Sequence, residues 1–233
     1  MSNPEPLQLP LGITLRDDAR FENFLSQGNE LLCNTLVHTA LGEGEIFLYI
    51  WGEDAGCSHL LQAVCHATEP VGRTAVYLPL DELTDLGPGV LEGMEHLDLV
   101  CLDNLQHVAG DPAWEEALFH FFNRIRAEEN QLLIAANRPP RQLGIVLPDL
   151  ASRLSWGVVF QVQGLSDDGK IQALQVRAKG RGFEISEEVA RFLIHRASRR
   201  TGDLLNLLDK LDSASLSAQR KITIPFVKQV LDL

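Results

Sequence analysis

Residues 46–67, which read IFLYIWGEDAGCSHLLQAVCHA, constrain the fold of this 233-residue chain more than any other stretch. The apolar run at 46–51 predicts a buried strand, a turn of small residues follows, and apolar positions from Ser58 onward predict a helix. Such a turn at a helix N-terminus directs backbone N–H groups and the positive end of the helix dipole at one point. This is the layout of a phosphate-binding loop, although an ordinary strand–turn–helix corner fits the stretch alone equally well.

The loop departs from the full signature G-x-x-x-x-G-K-[ST] at two positions. Trp51 stands at the first glycine and Cys57 at the lysine, whereas Gly56 and Ser58 keep the second glycine and the hydroxyl. Without the lysine, the loop lacks the point charge that holds the β- and γ-phosphates and helps to neutralise the transition state. The pattern predicts a site that holds a nucleotide, preferably a diphosphate, but is poorly equipped to hydrolyse a triphosphate.

Composition and charge exclude several classes of protein. With 45% hydrophobic and 22% charged residues, no apolar run of membrane-spanning length and no signal-peptide pattern, we expect a soluble cytoplasmic protein. The four cysteines lack C-x-x-C spacing, which indicates free thiols in a reducing compartment. Before residue 166 there are 23 Asp and Glu against 8 Lys and Arg, and from there on 9 against 12, which gives the net charge of −12. This acidic body disfavours autonomous DNA binding.

Further strands are predicted at residues 74–80, 97–103, 131–136 and 158–162. Because helical patterns separate them, we expect an α/β fold with a mostly parallel sheet and ligand binding at the carboxyl edge of the strands. Asp103 ends one strand, where a carboxylate can hold Mg²⁺ or its water, but Asn104 replaces the second carboxylate that often activates water. Asn137 follows another strand and would place its amide near a γ-phosphate, although a turn asparagine fits equally well.

The two ends of the chain differ from this core. Residues 1–20 are proline-rich without periodicity, which predicts an extended arm, and QLPL within it suits insertion into an apolar pocket of a partner. Packing of that run on its own domain is the alternative, and without context it is favoured. Helix starts at Ser166, Ser186 and Thr223 predict a small all-helical domain. The predicted division is therefore an arm at 1–20, an α/β domain at 21–165 and a helical domain at 166–233.

No other catalytic pattern is present in the sequence. His59 and His66 share a helix face, but without further ligands they are better interpreted as packing or surface residues, so no metal site is predicted. The serines lack a G-x-S-x-G setting, which gives no support to a hydrolase triad.

Taken in order, these elements resemble an AAA+ ATPase, and more specifically the bacterial replication initiator DnaA. FENFLSQGNELL at 21–32 resembles the initiator's entry motif beside the base, and SHLLQAV at 58–64 resembles its helix after the loop. FHFFN at 119–123 is similar to the segment before sensor 1, and SRLSWG at 152–157 to the arginine-finger box. The resemblance covers roughly residues 21–211 and stops where the initiator continues into a DNA-binding domain. With its QLPL arm and its ITIPFVKQVLDL end, the chain is similar to the regulatory inactivators of DnaA.

The resemblance implies a negative regulator of replication initiation. Such a protein binds the DNA polymerase sliding clamp (β) through its arm and promotes hydrolysis of the ATP bound to DnaA, without independent catalysis of its own. Carried over by position, Gln8, Leu9 and Leu11 bind the clamp, and Arg153 is the arginine finger supplied in trans. The nucleotide-binding residues indicated by the loop pattern and the resemblance together are Phe21, Phe24, Gly52, Asp54, Ala55, Gly56, Cys57, Ser58, His59, Asp103, Asn137 and Arg199.

The resemblance also implies a structural ligand and self-association. ADP or a related nucleoside diphosphate, with Mg²⁺ allowed beside it, would order the domain interface, and AAA+ proteins associate side by side, so a homo-oligomer is expected. No membrane partner is expected.

Three positions depart from the family pattern. Cys57 stands where a basic residue is usual and Asp54 where glycine is common, and a carboxylate beside phosphates should weaken nucleotide affinity. The sensor 2 arginine position aligns best with Gly202, which leaves Arg199 or Arg200 as its substitute. Two other functions stay open on the sequence: a self-sufficient DnaA-related P-loop NTPase, and a clamp-tethered adaptor for another partner.

Overall fold

A single parallel sheet organises the first two thirds of the chain in the computed structural model, which describes residues 14–196, 198 and 200–231. Its strands are β1 (Phe47–Trp51), β2 (Ala75–Pro79), β3 (Leu99–Asp103), β4 (Gln131–Ala136) and β5 (Val158–Gln161). They lie in the order β2-β3-β4-β1-β5, and every pairing is parallel. The predicted parallel α/β sheet is therefore confirmed. The carboxyl ends of the strands meet at one edge, where ligands bind in folds of this kind.

Helices cover both faces of the sheet. They are α1 (Glu30–Ala40), α2 (Cys57–Thr68), α3 (Leu80–Leu83), α4 (Pro112–Ala127) and α5 (Pro148–Leu154). Asp111 caps α4, since its carboxylate accepts hydrogen bonds from the amides of Ala113 and Trp114 at 2.9 and 3.2 Å, and Pro112 follows at the first helical position. Short 3₁₀ turns fill the connections at Phe21–Asn23, Glu69–Val71, Thr84–Leu86, Pro88–Leu91, Met94–His96, Leu105–His107 and Pro140–Gln142.

Alternation along β1 separates two apolar cores. Phe47 and Tyr49 face the side covered by α4 and α5, where Phe121 and Phe122 are almost fully buried. Leu48 and Ile50 face the side covered by α1 and α2. Because successive side chains of a strand point to opposite faces, the continuous apolar run predicted here builds both layers at once.

The C-terminal part of the chain is helical. Its elements are α6 (Asp167–Gly180), α7 (Glu187–Arg196), α8 (Thr201–Ala218) and α9 (Ile224–Leu231). They enclose an apolar core of their own that includes Leu174, Leu193, Leu208 and Phe226. The predicted all-helical C-terminal domain, called the lid from here on, is confirmed. Its helix α8 extends well beyond residues 204–211, where the apolar periodicity is clear. The serine at the start of α6, Ser166, caps that helix by accepting the amide of Gly169 at 3.1 Å.

Residues 14–20 lie against α2, which differs from the expectation of an extended arm over residues 1–20. Ala19 is completely buried, and the amide of Arg16 donates to the side-chain oxygen of Gln62 at 2.9 Å. His66 and His59 hydrogen-bond the carbonyls of Arg16 and Arg20 at 3.0 and 2.9 Å. Side chains of α2 thus supply partners for this segment's backbone. The clamp-binding residues predicted at Gln8, Leu9 and Leu11 lie outside the described residues.

Within the described residues, no helix is both long and apolar enough to cross a bilayer.

Candidate functional site

The loop between β1 and α2 begins at the carboxyl edge of the sheet. The amide of Gly52 donates to the carbonyl of Ala136 at 3.1 Å, and a Cβ at Gly52 would lie 2.8 Å from the carbonyl oxygen of Val162. Gly56 has a φ of 88° and is the N-cap of α2. Because Gly56 offers no side chain, the first amides of α2 are left to an external anion. The backbone therefore fits a phosphate, even though Trp51 departs from the signature.

Cys57 supplies no charge to this loop. Its thiol is buried and lies 3.8 Å from the carbonyl oxygen of Gly52. Burial, together with the nearby Asp103 carboxylate, raises the pKa of the Cys57 thiol to about 12. The side chain at the signature's lysine position is therefore neutral at physiological pH, while the neighbouring Ala55 packs into the core below the loop.

Ser58 and Asp103 come together beneath the loop, as a magnesium site of this type requires. Asp103 is 1% exposed and accepts hydrogen bonds from the hydroxyl of Tyr77 at 2.7 Å and the amide of Asn104 at 2.8 Å. Burial raises the pKa of Asp103, while hydrogen bonds from Ser58, Tyr77 and Asn104 lower it and the Asp81 charge adds to the increase. The net direction is upward, because burial is the largest of these effects.

Tyr77 was not predicted to belong to the site. It lies opposite Cys101 in the β2–β3 register, and Asp103 is two residues further along the same face of β3. A tyrosine within the otherwise apolar TAVYLPL strand is the only signal in the sequence, and it becomes meaningful once the strand register is known. Its hydroxyl occupies one oxygen of the carboxylate that was expected to serve Mg²⁺.

Asn137 follows β4 directly and lies beside the start of the loop. Its backbone amide donates to the side-chain oxygen of Gln106 at 3.2 Å, but its own side-chain oxygen is buried without a hydrogen-bond partner among the described atoms. Such an unpaired buried oxygen is uncommon and is consistent with a missing polar ligand. Asn104 is in the left-handed region with a φ of 58°, and its side-chain NH₂ group donates to the Asp81 carboxylate at 2.9 Å.

An aromatic segment covers the other side of the loop. A Cβ at Gly56 would lie 3.0 Å from the ring of Phe24, and the Phe24 and His59 rings are 5.7 Å apart. Phe21 packs against the α2-side core. Burial lowers the pKa of His59, which favours the neutral ring.

A cleft of about 640 Å³ lies between the aromatic segment and the lid, and His59 borders it. The cleft is lined further by Arg16, Asp18, Asn23, Arg177, Arg181 and Asp209.

The lid reaches the loop through Asp54. The Asp54 carboxylate accepts hydrogen bonds from the amides of Thr201 and Gly202 at the start of α8, at 2.6 and 3.4 Å. Neither lid residue was predicted as a contact of the loop, since they lie 147 and 148 positions away in sequence. Arg199, predicted to bind nucleotide, lies outside the described residues.

Arg153 is remote from this loop. It lies on α5, and its guanidinium carbon stands 5.0 Å from the ring centre of Phe119 and 5.4 Å from that of Phe122. Phe122 belongs to the core on the α4 side of the sheet, whereas the loop continues into α2 on the opposite side. Within the described residues, Arg153 forms no ion pair. Nor do these residues include a cluster of three or more His, Cys, Asp or Glu able to hold a metal ion.

The architecture is that of an AAA+ P-loop fold. Its marks are the parallel sheet in this strand order, the glycine-containing loop after β1, the Asp-ended β3 and the helical lid. Residues 90–161 match the family model for the bacterial DnaA ATPase domain, and residues 167–231 match that of the Hda lid domain. Each match covers less than a third of the chain, and together they support an Hda-like, DnaA-related AAA+ protein and a DnaA-related replication regulator.

Solved structures show the same fold. Domain III of the Thermotoga maritima replication initiator DnaA superposes with a TM-score of 0.80 at 22% identity, covering 94% of this chain and 98% of that one. DnaA from Aquifex aeolicus bound to AMPPCP gives 0.68 at 20% identity, covering 86% and 67%. The T. maritima branch-migration motor RuvB gives 0.66 at 15% identity, covering 94% and 72%.

Proposed function

We propose that this protein inactivates the replication initiator DnaA by promoting hydrolysis of the ATP bound to it. In this proposal Arg153 is the catalytic residue, an arginine finger that enters the nucleotide site of DnaA in trans. A guanidinium there stabilises the charge that develops on the transferring phosphoryl group, an effect of about 10³ to 10⁵ in rate in GTPases.

The position of Arg153 carries the proposal. The residue lies on the side of the sheet away from its own loop and has no described carboxylate partner, so its charge is available to another molecule. Stacking on Phe119 and Phe122 restricts its conformations before a partner arrives. Exposed apolar side chains flank this region, with Val146 70% and Trp156 59% exposed, which is typical of a protein interface.

The chain's own loop supports an activator rather than a self-sufficient NTPase. The neutral thiol of Cys57 replaces the lysine, and Asn104 replaces the carboxylate that would activate water. We propose that this site takes ADP or a related diphosphate as a structural ligand. The backbone amides of the loop would hold its phosphates, Ser58 and Asp103 would serve Mg²⁺ where it accompanies the nucleotide, and Phe24 and His59 would border the base.

The remaining parts of the proposal concern partners and organisation. The 1–20 arm would bind the β sliding clamp through Gln8, Leu9 and Leu11 and so bring the protein to DNA. The nucleotide-binding unit would span residues 21–165 and the lid residues 166–233. The protein would act in the cytoplasm and associate side by side with its own copies.

Hydrolysis of radiolabelled ATP preloaded on DnaA, in the presence of clamp-loaded DNA, tests the finger. We expect stimulation by the wild-type chain and a loss of at least about a hundredfold in Arg153→Ala, with a comparable loss in Arg153→Lys because lysine lacks the planar fork of donors. Arg141→Ala is the matched control, since Arg141 is an exposed arginine near the same helix.

Clamp binding is measured in parallel on every variant. Stimulation that persists in Arg153→Ala would assign catalysis to another residue. Clamp binding without stimulation by the wild-type chain would favour the adaptor function, and turnover of ATP by the chain alone would favour the NTPase.

A further inference from the structure

The lid helix α8 begins without a cap of its own. Arg200 stands at its N-cap and its side chain makes no capping hydrogen bond. Asp203, the acidic residue of the first turn, accepts the hydroxyl of Ser198 at 2.9 Å. The first amides of a helix have no intrahelical acceptor, so those of Thr201 and Gly202 need an anion or a polar group from elsewhere.

Asp54, on the loop between β1 and α2, meets this need. One carboxylate oxygen accepts the amide of Thr201 at 2.6 Å and the other that of Gly202 at 3.4 Å. Asp54 does so from a φ of 52°, a left-handed conformation that glycine adopts without strain. A glycine at this point would relax the loop and abolish the contact. A side chain is therefore present where the backbone alone would favour none.

The surroundings of Asp54 oppose a second anion. The loop has the neutral Cys57 in place of the signature's lysine, so its own side chains supply no cation to offset the charge of the Asp54 carboxylate. Gly202 is open on its outer side, since a Cβ there would have no atom within 4 Å. Because residue 202 is a glycine, it has no side chain that could separate the loop from the first amides of α8. A phosphate bound to the loop amides would lie beside the Asp54 carboxylate, and like charges repel.

We propose that Asp54 is an internal substitute for a nucleotide phosphate. Its carboxylate holds α8 of the lid on the phosphate-binding loop without nucleotide, and a diphosphate must displace it to bind. Asp54 is thus the residue that determines whether the loop binds the lid or a ligand. The inference rests on the proposed diphosphate site only for the choice of ADP as the probe, and it involves neither DnaA nor the clamp.

Amide hydrogen exchange, followed by NMR on the full chain without nucleotide, tests the contact with the lid. In Asp54→Gly we expect the Thr201 and Gly202 amides to exchange at least about tenfold faster, because the acceptor that the described residues give them is lost. The amide of Leu204, which donates to the carbonyl of Arg200 at 3.0 Å, reports on α8 itself and should not change. Glu53→Gln is the matched control, since Glu53 is the exposed neighbouring carboxylate on the same loop.

Calorimetric titration with ADP tests the competition. We expect Asp54→Gly and Asp54→Asn to bind ADP about tenfold more tightly than the wild type, and Glu53→Gln to bind like the wild type. Asparagine keeps an acceptor for the lid amides, so its exchange rates should lie between those of the wild type and the glycine variant.

Each outcome decides one part of the proposal. Equal exchange of Thr201 and Gly202 in wild type and Asp54→Gly would overturn the contact with the lid. ADP binding that is no tighter in the variants, including none in any of them, would overturn the competition. Failure to stimulate DnaA would leave both results intact, so the two proposals fail separately.

Discussion

At the scale of single residues, Asp103 is the most constrained group of the candidate site. It is a buried carboxylate whose two oxygens are occupied by Tyr77 and Asn104, with the Ser58 hydroxyl as a third donor. Hydrogen bonds offset part of the cost of burying its charge, but burial still prevails and the pKa is raised. Burial of the Asp103 charge therefore lowers the stability of the fold, as is common for residues that serve a site, which is the role predicted for Asp103.

Asp103→Asn is expected to stabilise the protein at neutral pH. Because the pKa of Asp103 is higher in the folded than in the unfolded chain, the folded state binds the proton more tightly, and the free energy of unfolding falls as the pH rises through that window. Asparagine removes the charge and keeps an acceptor. Urea unfolding at about pH 4 and about pH 7 should show a gain for the variant that is larger at the higher pH.

The exposed carboxylate of Asp98 gives the opposite expectation and serves as the control. Hydrogen bonds from the amide and hydroxyl of Thr74, both at 2.7 Å, lower the pKa of Asp98. Its contribution to stability is present above its unfolded pKa and is lost as the pH falls, so Asp98→Asn should destabilise the protein at neutral pH and less in acid. A gain in stability for both variants would mean that lost net charge, rather than burial, explains the Asp103 result.

At the scale of elements, one carboxylate sets the position of α5, the helix that carries Arg153. Glu115 on α4 is 1% exposed, and it accepts hydrogen bonds from the amides of Gly110 at 2.7 Å, Val146 at 3.0 Å and Leu147 at 2.6 Å. Leu147 is the N-cap of α5, the helix that carries Arg153. The contact therefore holds the N-terminal end of α5 against α4.

Glu115→Gln should lower the free energy of unfolding by about 2–3 kcal/mol, since the glutamine NH₂ group would face backbone donors and leave buried amides without an acceptor. It should also reduce stimulation of the DnaA ATPase under conditions where the variant is still fully folded. Denaturant unfolding and the hydrolysis assay measure the two effects.

Glu116→Gln is the control for this prediction, because Glu116 is the next residue of the helix and its side chain is 76% exposed. Equal stability of the two variants would show that the acceptor at Glu115 is not needed to hold the loop before α5.

At the scale of the whole molecule, Arg177 ties the lid to the N-terminal segment. It lies on α6, pairs with Asp18, and forms two hydrogen bonds to Asp209 on α8 at 3.1 and 2.7 Å. Its side chain is 11% exposed, while both carboxylates are about a third exposed. Together with the Asp54 contact, the Arg177 contacts join the lid to the body at two separate places.

Arg177→Met should destabilise the protein by about 1–3 kcal/mol, because it leaves two neighbouring carboxylates without their shared cation. Calorimetry should also show the lid and the body unfolding in separate transitions, since the link between the two apolar cores is weakened.

Arg191→Met is the matched control within the lid. Arg191 pairs with Glu187 and Asp168 on the surface, where solvent screens ion pairs and their contribution to stability is small. A single cooperative transition in both variants would show that Arg177 does not couple the two cores.

Local sequence patterns were sufficient to predict the secondary-structure elements and the class of protein. Apolar runs ending in Gly52, Asp103 and Asn137 predicted the strands and their polar exits, because strand periodicity and turn chemistry act over a few neighbouring residues. The same motifs carried the resemblance to DnaA, which the two family matches confirm. The absence of a charge at Cys57 was also readable directly, since a residue type alone decides it. The roles of the predicted site residues stay predictions.

The contacts between polar groups that are far apart in sequence follow from the tertiary structure. Tyr77 reaches Asp103 because β2 and β3 pair in one register, and Asp54 reaches Thr201 because the lid folds back over the loop. The placement of Arg153 away from its own loop depends likewise on which face of the sheet each helix covers. Such contacts join residues far apart in the chain, and they arise from packing of apolar surfaces that many local sequences satisfy equally well. Local patterns therefore predict the elements and their polar ends, while the partners of those polar groups follow from the fold.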